Sequence, residues 1–338
     1  MNETKEYLKF DTVKFVTSSQ YFKMINREFF KHDVDPTTGE FKSVEFNSRR
    51  HQDIIPFELY ILVNYQSGKM YIEFSSKLLL EDYPKLISIE TFKQCLQNIE
   101  KLGICTLNIN GIMENSYFNK LHITKDVELK LDSKILGRLN LCTGDYRRYK
   151  WDRYLDNAIL FTKNVKSNDC KEAMSIYDKE LEIQLSRNKT FLELTGNAEG
   201  IKEYFKNKTR FEVRFDNKRK IQKEFGIKDT SVRIILSMDR NIILNQYDKI
   251  FTNSTKKTDT KLKINGILEY GILNILRFYN GDMQKIEQEI KDLGFYGSSS
   301  RGAMGRQIRK IKEMKWTLIN QEEIPDDTIT KIRNLLNE

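Results

Sequence analysis

The sequence has few cysteines and histidines and no long apolar run. Its four cysteines are scattered without a Cys-x-x-Cys pair, which excludes the common zinc-site spacings and favours buried thiols in a reducing compartment. No stretch approaches the roughly 18 apolar residues of a membrane-spanning helix. The polar first eleven residues lack the apolar core of a secretory signal. We therefore expect a cytoplasmic protein without a membrane partner.

The composition is that of a globular protein. Of the 338 residues, 39% are hydrophobic and 31% are charged, which is typical of folded domains with a packed core. The length allows one large domain or two ordinary ones. The formal net charge of +9 becomes informative only where it is clustered.

Basic residues are concentrated in three stretches. Residues 202–224 carry nine basic side chains against four acidic ones, and residues 301–315 carry six against one. Residues 144–155 interleave aromatic and basic residues, among them Arg147, Arg148 and Trp151. Because basic groups neutralise phosphates and aromatic rings stack on bases, the three stretches together favour nucleic-acid binding over a plain solvated surface.

The N-terminal third predicts strands and one clear helix. Residues 7–17 indicate a strand near the edge of a sheet, and residues 57–75 indicate a hairpin with a glycine-containing turn. Apolar residues at helical spacing predict a helix over 88–103, ended by Gly103. A strand over residues 104–110 is expected to follow.

The strand predicted over residues 118–130 has two chemically different faces. One face is apolar and can pack on helices, whereas the other carries His122, Thr124, Asp126 and Glu128. The polar face indicates either the wall of a functional site or an ordinary half-exposed strand.

The same alternation occurs in two later stretches. In residues 174–179, Tyr177 and Lys179 fall on the face opposite to the apolar residues, and Glu182 completes a Tyr-x-Lys-x-x-Glu pattern. In residues 210–215 the polar set is Arg210, Glu212 and Arg214. We expect these strands to meet the strand of His122 on one polar face. The predicted class is α+β, an antiparallel sheet with helices on its other face and a C-terminal helical domain.

The C-terminal region predicts three helices, over residues 264–282, 282–295 and 298–314. The last helix presents Arg301, Arg306, Arg309 and Lys310. Three short helices with a basic last one are typical of a helix-turn-helix DNA-binding module, although a plain helical cap is the alternative. The polar residues 253–263 suit a linker. The predicted domains are a catalytic domain over 1–226 and a helical, DNA-binding domain over 227–338.

The two polar motifs, in this order, resemble the rolling-circle replication initiators of filamentous bacteriophages, the gene II replication proteins. The resemblance rests on Tyr177-x-Lys179-x-x-Glu182 followed by Arg210-Phe211-Glu212-x-Arg214. It extends to the hairpin and the segment after it, residues 65–87, and to the helical residues 276–308. It covers most of the chain and implies a relative of the His-hydrophobic-His endonuclease fold.

The resemblance implies roles for individual residues. Tyr177 aligns with the nucleophilic tyrosine of the family, and Lys179 is expected to favour its phenolate or to stabilise charge on the phosphate. This sequence has no His-hydrophobic-His pair and has His122 where the coliphage proteins have aspartate. A Mg²⁺ or Mn²⁺ site must therefore use ligands of mixed type, and the candidates are Glu212, His122, Glu182 and Asp126. Arg210 and Arg214 either bind DNA or pair with these acids.

The implied activity is a site-specific DNA endonuclease. Tyr177 would attack one strand at a double-stranded origin, forming a 5′-phosphotyrosine link and freeing a 3′-OH for rolling-circle replication. Expected partners are double-stranded origin DNA, the single strand, a host helicase and a polymerase, in the bacterial cytoplasm if the gene belongs to a phage or plasmid, with oligomerisation on DNA. Two alternatives stay open: a plasmid or mobile-element relaxase, and a non-catalytic origin-binding protein.

Overall fold

The computed structural model describes residues 7–132, 135–136, 139, 149–154, 158–163, 172–251, 266–279, 283–294, 301–321 and 328–338. The chain divides into two compact units. Unit 1 comprises Met1–Thr252 and Ile329–Glu338, and unit 2 comprises Asn253–Thr328. Unit 1 contains a large antiparallel sheet and many helices, so the predicted α+β class is confirmed.

Ten of the described strands form one antiparallel sheet in the order β3-β4-β5-β6-β1-β8-β12-β11-β10-β9, and β2 pairs with β7 separately. Their bounds are β1 Phe10–Ser18, β2 Phe22–Met24, β3 Lys31–Val34, β4 Phe41–Asn47, β5 Leu59–Asn64, β6 Lys69–Ser75, β7 Cys105–Leu107, β8 Tyr117–Glu128, β9 Tyr149–Tyr154, β10 Ala158–Lys163, β11 Glu172–Asp178 and β12 Lys208–Phe215.

The helices are α1 Phe92–Lys101, α2 Ile109–Asn115, α3 Lys179–Ile183, α4 Lys189–Leu194, α5 Ala198–Phe205, α6 Lys218–Phe225, α7 Val232–Leu236, α8 Ile242–Phe251, α9 Ile267–Phe278, α10 Met283–Asp292, α11 Arg301–Gln321 and α12 Thr328–Asn337. A run of 3₁₀ turns, Ser76–Lys85, follows β6. None of the described helices has the length and apolar character needed to cross a membrane.

The prediction of an edge position for β1 is wrong. β1 lies in the interior of the sheet, between β6 and β8, where Val13 is paired with Phe74 on one side and Leu121 on the other. The sequence of a strand shows which residues share a face, but not how many neighbouring strands its backbone will have.

The predicted hairpin and helix are confirmed, and the next segment differs. β5 and β6 pair through a turn in which Gly68 has a φ of +65°, and α1 is followed by Gly103 at +71°. Of residues 104–110, only Cys105–Leu107 is a strand. The side chain of Asn108 accepts a hydrogen bond from the amide of Gly111 (3.0 Å) and so starts α2. The strand therefore ends earlier than its apolar pattern predicted, because Asn108 caps a helix.

Residues that face each other across the antiparallel strands define the polar face of the sheet. Tyr177 on β11 is opposite Arg210 on β12, which is opposite Asp126 on β8. One pair further along β12, Glu212 is opposite Thr124. Because paired residues project from the same side of a sheet, the predicted convergence of distant strands on one polar face is confirmed.

The opposite face of the sheet carries the hydrophobic core. Phe92 of α1 packs against Phe15, Phe74 and Phe118, with ring centroids 5.6–5.9 Å apart. Further along the sheet, α8 covers β12 and β10 through Tyr247 against Phe211 and Phe251 against Phe161. The prediction that helices cover one face is incomplete, since residues of α4, α5 and the 3₁₀ run also cover part of the polar face.

Unit 1 continues beyond the domain boundary predicted at residue 226. α8 packs on the sheet, and α12 returns from the C-terminal end of the chain to lie against α8. Tyr247 Oη donates to the carbonyl of Ile329 (3.1 Å), and Arg333 forms a two-pronged ion pair with Asp248 (2.8 and 3.0 Å). The sequence pattern predicts that α8 and α12 are helices, but a helix that packs on the sheet and a helix of a separate domain have the same pattern. The pattern therefore could not place the domain boundary.

Unit 2 contains the three helices predicted for the C-terminal region, although the last is longer than expected. α9, α10 and α11 enclose a small core of Ile272, Leu273, Leu276, Ile286, Ile311 and Met314. The basic residues Arg306, Arg309 and Lys310 are exposed on α11, as their alternation with apolar residues predicted.

The Phe92→Ala variant should be strongly destabilised. Its ring is fully buried between α1 and three phenylalanines of the sheet, and phenylalanine-to-alanine changes in such cores cost about 3–5 kcal/mol. Urea denaturation should show this loss in the free energy of unfolding. The neighbouring exposed Lys93→Ala should change it by less than about 0.5 kcal/mol; equal effects of the two changes would contradict the packing described here.

Candidate active site

Tyr177 lies where β11 ends and α3 begins. The side chain of Asp178 accepts a hydrogen bond from the amide of Leu181 (2.9 Å) and so caps α3. Lys179 is the first residue of the helix, and Glu182 follows it by one turn. The Tyr-x-Lys-x-x-Glu spacing therefore belongs to a strand-to-helix junction, rather than to the continuous strand through Lys179 that the alternation had predicted.

The hydroxyl of Tyr177 is bound to Glu212. Tyr177 Oη donates to Glu212 Oε2 (3.3 Å), and the other carboxylate oxygen accepts from Arg214 Nε (2.6 Å). The Glu212 side chain is only 4% exposed. A buried carboxylate is thus held beside a phenol by an arginine, an arrangement in which the carboxylate can accept the phenolic proton.

Two further groups extend this contact along β8 and β12. His122 Nδ1 lies 3.4 Å from Glu212 Oε1, and His122 Nε2 lies 3.6 Å from Asp216 Oδ1. The His122 ring therefore lies between two carboxylates. Asp216 has its pKa lowered, chiefly by its interaction with His122.

The Tyr177 hydroxyl is protonated in this setting. Burial and the negative charge of Glu212 raise the pKa of Tyr177 well above its usual value. Lys179 lies beside the Tyr177 ring, with Nζ 5.8 Å from its centroid. It is not hydrogen-bonded to the Tyr177 hydroxyl.

Lys179 and Glu182 form a buried ion pair. Lys179 Nζ also faces the rings of Tyr83 and Phe205, with centroids 5.2 and 5.3 Å away. Burial, followed by the charge of Arg210, lowers the Lys179 pKa. Although burial acts in the opposite direction, Lys179 and Lys77 hold the Glu182 pKa below its usual value. Glu182 also accepts from Arg187 (3.0 Å) and Asn188 (3.3 Å), so its oxygens are occupied.

Arg210 is fully buried beneath residues of the 3₁₀ run and α5. Its Nε and Nη2 donate to the two oxygens of Asp126 (2.7 and 2.8 Å), and Nη1 donates to Asp11 (2.8 Å) and Tyr83 Oη (3.3 Å). A side chain with 0% exposure does not reach DNA. Of the two roles considered for Arg210, the structure shows pairing with acids. Arg214 pairs with Glu212 but is 40% exposed.

The four predicted metal ligands are divided between three places. Glu212 and His122 lie together, whereas Glu182 is paired with Lys179 and Asp126 with Arg210. Among the residues that the structure describes, no group of three or more acids, histidines or cysteines could hold a metal ion. Glu212 and His122 fit part of a Mg²⁺ site, because Mg²⁺ keeps several waters and takes other ligands from substrate phosphates.

A cleft of about 1000 Å³ runs from Tyr177 across the polar face to β5 and the segment before it. Its lining includes the cationic side chains Lys14, Arg49, Lys77, Lys120, Lys179 and Arg187 and the carboxylates Asp11, Asp53, Glu58, Glu73 and Glu182. Aromatic Tyr60 and Tyr83 lie on its wall. Cations with aromatic rings in one groove suit a nucleic-acid strand.

The remaining residues predicted to bind DNA belong to other elements of the chain or lie outside the described residues. Arg306, Arg309 and Lys310 are exposed in unit 2. Arg301 belongs to α11 and Trp151 to β9. Arg147 and Arg148 lie outside the described residues.

Sequence reasoning missed Asp11, Lys77, Tyr83 and Asn188, which surround the Lys179 and Arg210 pairs. Asp11 sits at a register shift between β1 and β8, and such a bulge redirects a side chain without a sequence signature. The other three lie in irregular turns. The proximity of Lys77 to the motif residues depends on tertiary structure alone.

No protein-family model matches the chain, and no curated protein is significantly similar to it.

The Glu182→Gln variant should lose stability at neutral pH but approach the wild type in acid. Lys179 favours the ionised carboxylate in the folded state, so the unfolded chain binds more protons near pH 4. This contribution is fully present above the usual glutamate pKa and is lost as pH falls below it. The free energy of unfolding, measured by urea denaturation from pH 7 to pH 3, should show a narrowing gap. A constant gap would mean that the ion pair contributes nothing.

Proposed function

We propose that the chain cleaves one strand of DNA by transesterification at Tyr177, as the initiator of rolling-circle replication. The observation that carries the proposal is the hydrogen bond to a buried Glu212 from the hydroxyl of Tyr177, which lines a cleft that also contains six cationic side chains and aromatic rings. A phenol beside a base is the arrangement needed for a nucleophile. The resemblance of the two motifs to the phage initiators agrees with this use.

The reaction exchanges one phosphodiester for another. Tyr177 Oη attacks the phosphorus as its proton passes to Glu212, and the bond from phosphorus to the 3′ oxygen breaks. The 5′ side stays linked to Tyr177, and the 3′ oxygen leaves as a hydroxyl after taking up a proton. Because the aryl phosphodiester retains the bond free energy, the strand can be rejoined without ATP.

Arg214, which is bound to Glu212, stabilises the negative charge that develops on the phosphate. Arg214 holds one oxygen of Glu212 and is exposed enough to approach a phosphate. Lys179 stays in its buried pair with Glu182 and so fixes the end of β11. If Mg²⁺ or Mn²⁺ binds, Glu212 and His122 would hold it, and it would polarise the scissile phosphate.

The finer parts of the proposal concern fold and partners. An antiparallel sheet with a polar, tyrosine-bearing face supports a relative of the His-hydrophobic-His endonucleases. The exposed basic face of α11 supports a role for unit 2 in binding double-stranded DNA at the origin. In the bacterial cytoplasm, a host helicase would separate the strands and a host polymerase would extend the 3′-OH. Several copies of this chain would assemble on the origin. The same chemistry in a relaxase would serve DNA transfer.

The Tyr177→Phe variant should bind origin DNA but not cut it. Phenylalanine fills the same space without the nucleophilic oxygen, so neither nicked circles nor a covalent protein–DNA adduct should form. Supercoiled plasmid carrying the element's own intergenic DNA is the substrate, with Mg²⁺ or with EDTA. The exposed Tyr204→Phe is the matched control and should cut normally. Nicking by the Tyr177 variant, with an adduct, would refute the assignment of the nucleophile.

The Glu212→Gln variant should slow nicking by about 100-fold or more, because the base for Tyr177 is lost. Origin binding, measured by fluorescence anisotropy, should change little. A parallel loss of binding and nicking would assign Glu212 a structural role. If the wild type binds the origin and never nicks it, the chain is a non-catalytic DNA-binding protein.

A further inference from the structure

One lysine of the cleft differs from the others in having no carboxylate partner among the described residues. Lys14 and Lys120 share Glu73, and Lys179 and Arg187 share Glu182. Within the described part of the chain, Lys77 forms no ion pair, although it lines the same cleft. Arg49 forms none there either, but it is exposed beyond β4, at the far side of the cleft from β11.

Lys77 is held in place by neutral groups. Its Nζ donates to Asn188 Oδ1 (2.7 Å) and lies 5.3 Å from the centroid of the Phe191 ring. Asn188 is itself fully buried and donates to the carbonyl of Glu182 (2.6 Å). An ammonium has three donors, and among the described residues only Asn188 accepts from this one. The other two donors are free for a group in the cleft.

Lys77 lies at the same end of the cleft as Tyr177. Both line it, and Lys77 contacts Asn188, which contacts Glu182, the partner of the Lys179 that lies beside the Tyr177 ring. Burial lowers the Lys77 pKa, and Glu182 acts in the opposite direction. Among the described residues no carboxylate contacts Lys77 Nζ directly, so an anion that enters the cleft can accept from its remaining donors and offset part of the cost of its burial.

We propose that Lys77 binds the phosphate that Tyr177 attacks, donating from its two free N–H groups to the non-bridging oxygens. This inference rests on the proposed function and adds to it the residue that receives the substrate phosphate. Lys179, the lysine of the sequence motif, is unsuited to that contact because Glu182 and aromatic rings surround its ammonium. Lys77 therefore supplies the stabilisation of charge on the phosphate that the resemblance of the motif had led us to expect from Lys179.

The test compares Lys77→Gln with Lys77→Arg and with Lys85→Gln. Lys85 is a 65% exposed lysine of the same 3₁₀ run, paired with Asp82 outside the cleft. At saturating origin plasmid, Lys77→Gln should lower the nicking rate by about 100-fold, as loss of one oxyanion donor does. Lys77→Arg should retain more of the rate, and Lys85→Gln should match the wild type. Thermal melting checks that each variant is folded, and Lys77→Met replaces Lys77→Gln if the latter is not.

Binding gives a second readout that a purely structural role would not change. In a Tyr177→Phe background, the affinity for a single-stranded oligonucleotide from the nick region is measured at several salt concentrations. Loss of the Lys77 contact should reduce the slope of log affinity against log salt by about 0.7.

The outcomes separate the two proposals. A wild type that neither nicks nor forms an adduct overturns the proposed function, and the role of Lys77 with it. A wild type that nicks through Tyr177, together with a folded Lys77→Gln that keeps the wild-type rate and salt slope, overturns only the role of Lys77. Loss of rate and of slope in Lys77→Gln, with Lys85→Gln unaffected, supports it.

Discussion

The buried guanidinium of Arg210 connects the parts of unit 1 that make up the site. It ties β12 to β8 through Asp126, to β1 through Asp11, and to the 3₁₀ run through Tyr83. A fully buried arginine must have its donors satisfied, because an unpaired charge in the interior is costly. Burial disfavours its charge, but Asp126 and Tyr83 outweigh burial and raise the pKa of Arg210. This charge therefore fixes three elements at one point on the polar face.

The Arg210 pairs decide which acids remain beside Tyr177. Both oxygens of Asp126 accept from Arg210, and Glu182 pairs with Lys179. Among the acids that the structure describes, Glu212 is therefore the one that contacts the Tyr177 hydroxyl. Glu212 in turn is held by Arg214 and lies near His122. The site thus has one carboxylate placed to accept the tyrosine proton, and the Arg214 guanidinium holds that carboxylate in place. The division of the acids follows from the cation that lies beside each of them, because buried ions must pair locally: Asp126 pairs with Arg210, Glu182 with Lys179 and Glu212 with Arg214.

The polar face was predictable from the sequence because strand alternation is a local property. Glu212 and His122 were placed on the same face by counting residues. Asp11 was not, because a bulge between β1 and β8 shifts the alternation. Lys77 was missed for a different reason: it lies 100 residues before Tyr177, in irregular turns whose direction no periodicity describes. The burial of Arg210 was also hidden, since short helices fold over only part of the polar face.

The sequence by itself determined that Tyr177, Lys179 and Glu182 lie close together and that β8, β11 and β12 each have a polar face. Residue period and helix spacing are local, so one chain segment suffices to define them. Tertiary structure decided which of these side chains keeps a free function. Lys179 and Glu182 are paired with each other, and the buried Arg210 is paired with Asp126 and Asp11. Tyr177 lines the cleft and donates to the buried Glu212 behind it. Only tertiary structure could decide this, because pairing and burial depend on neighbours that are distant in the chain.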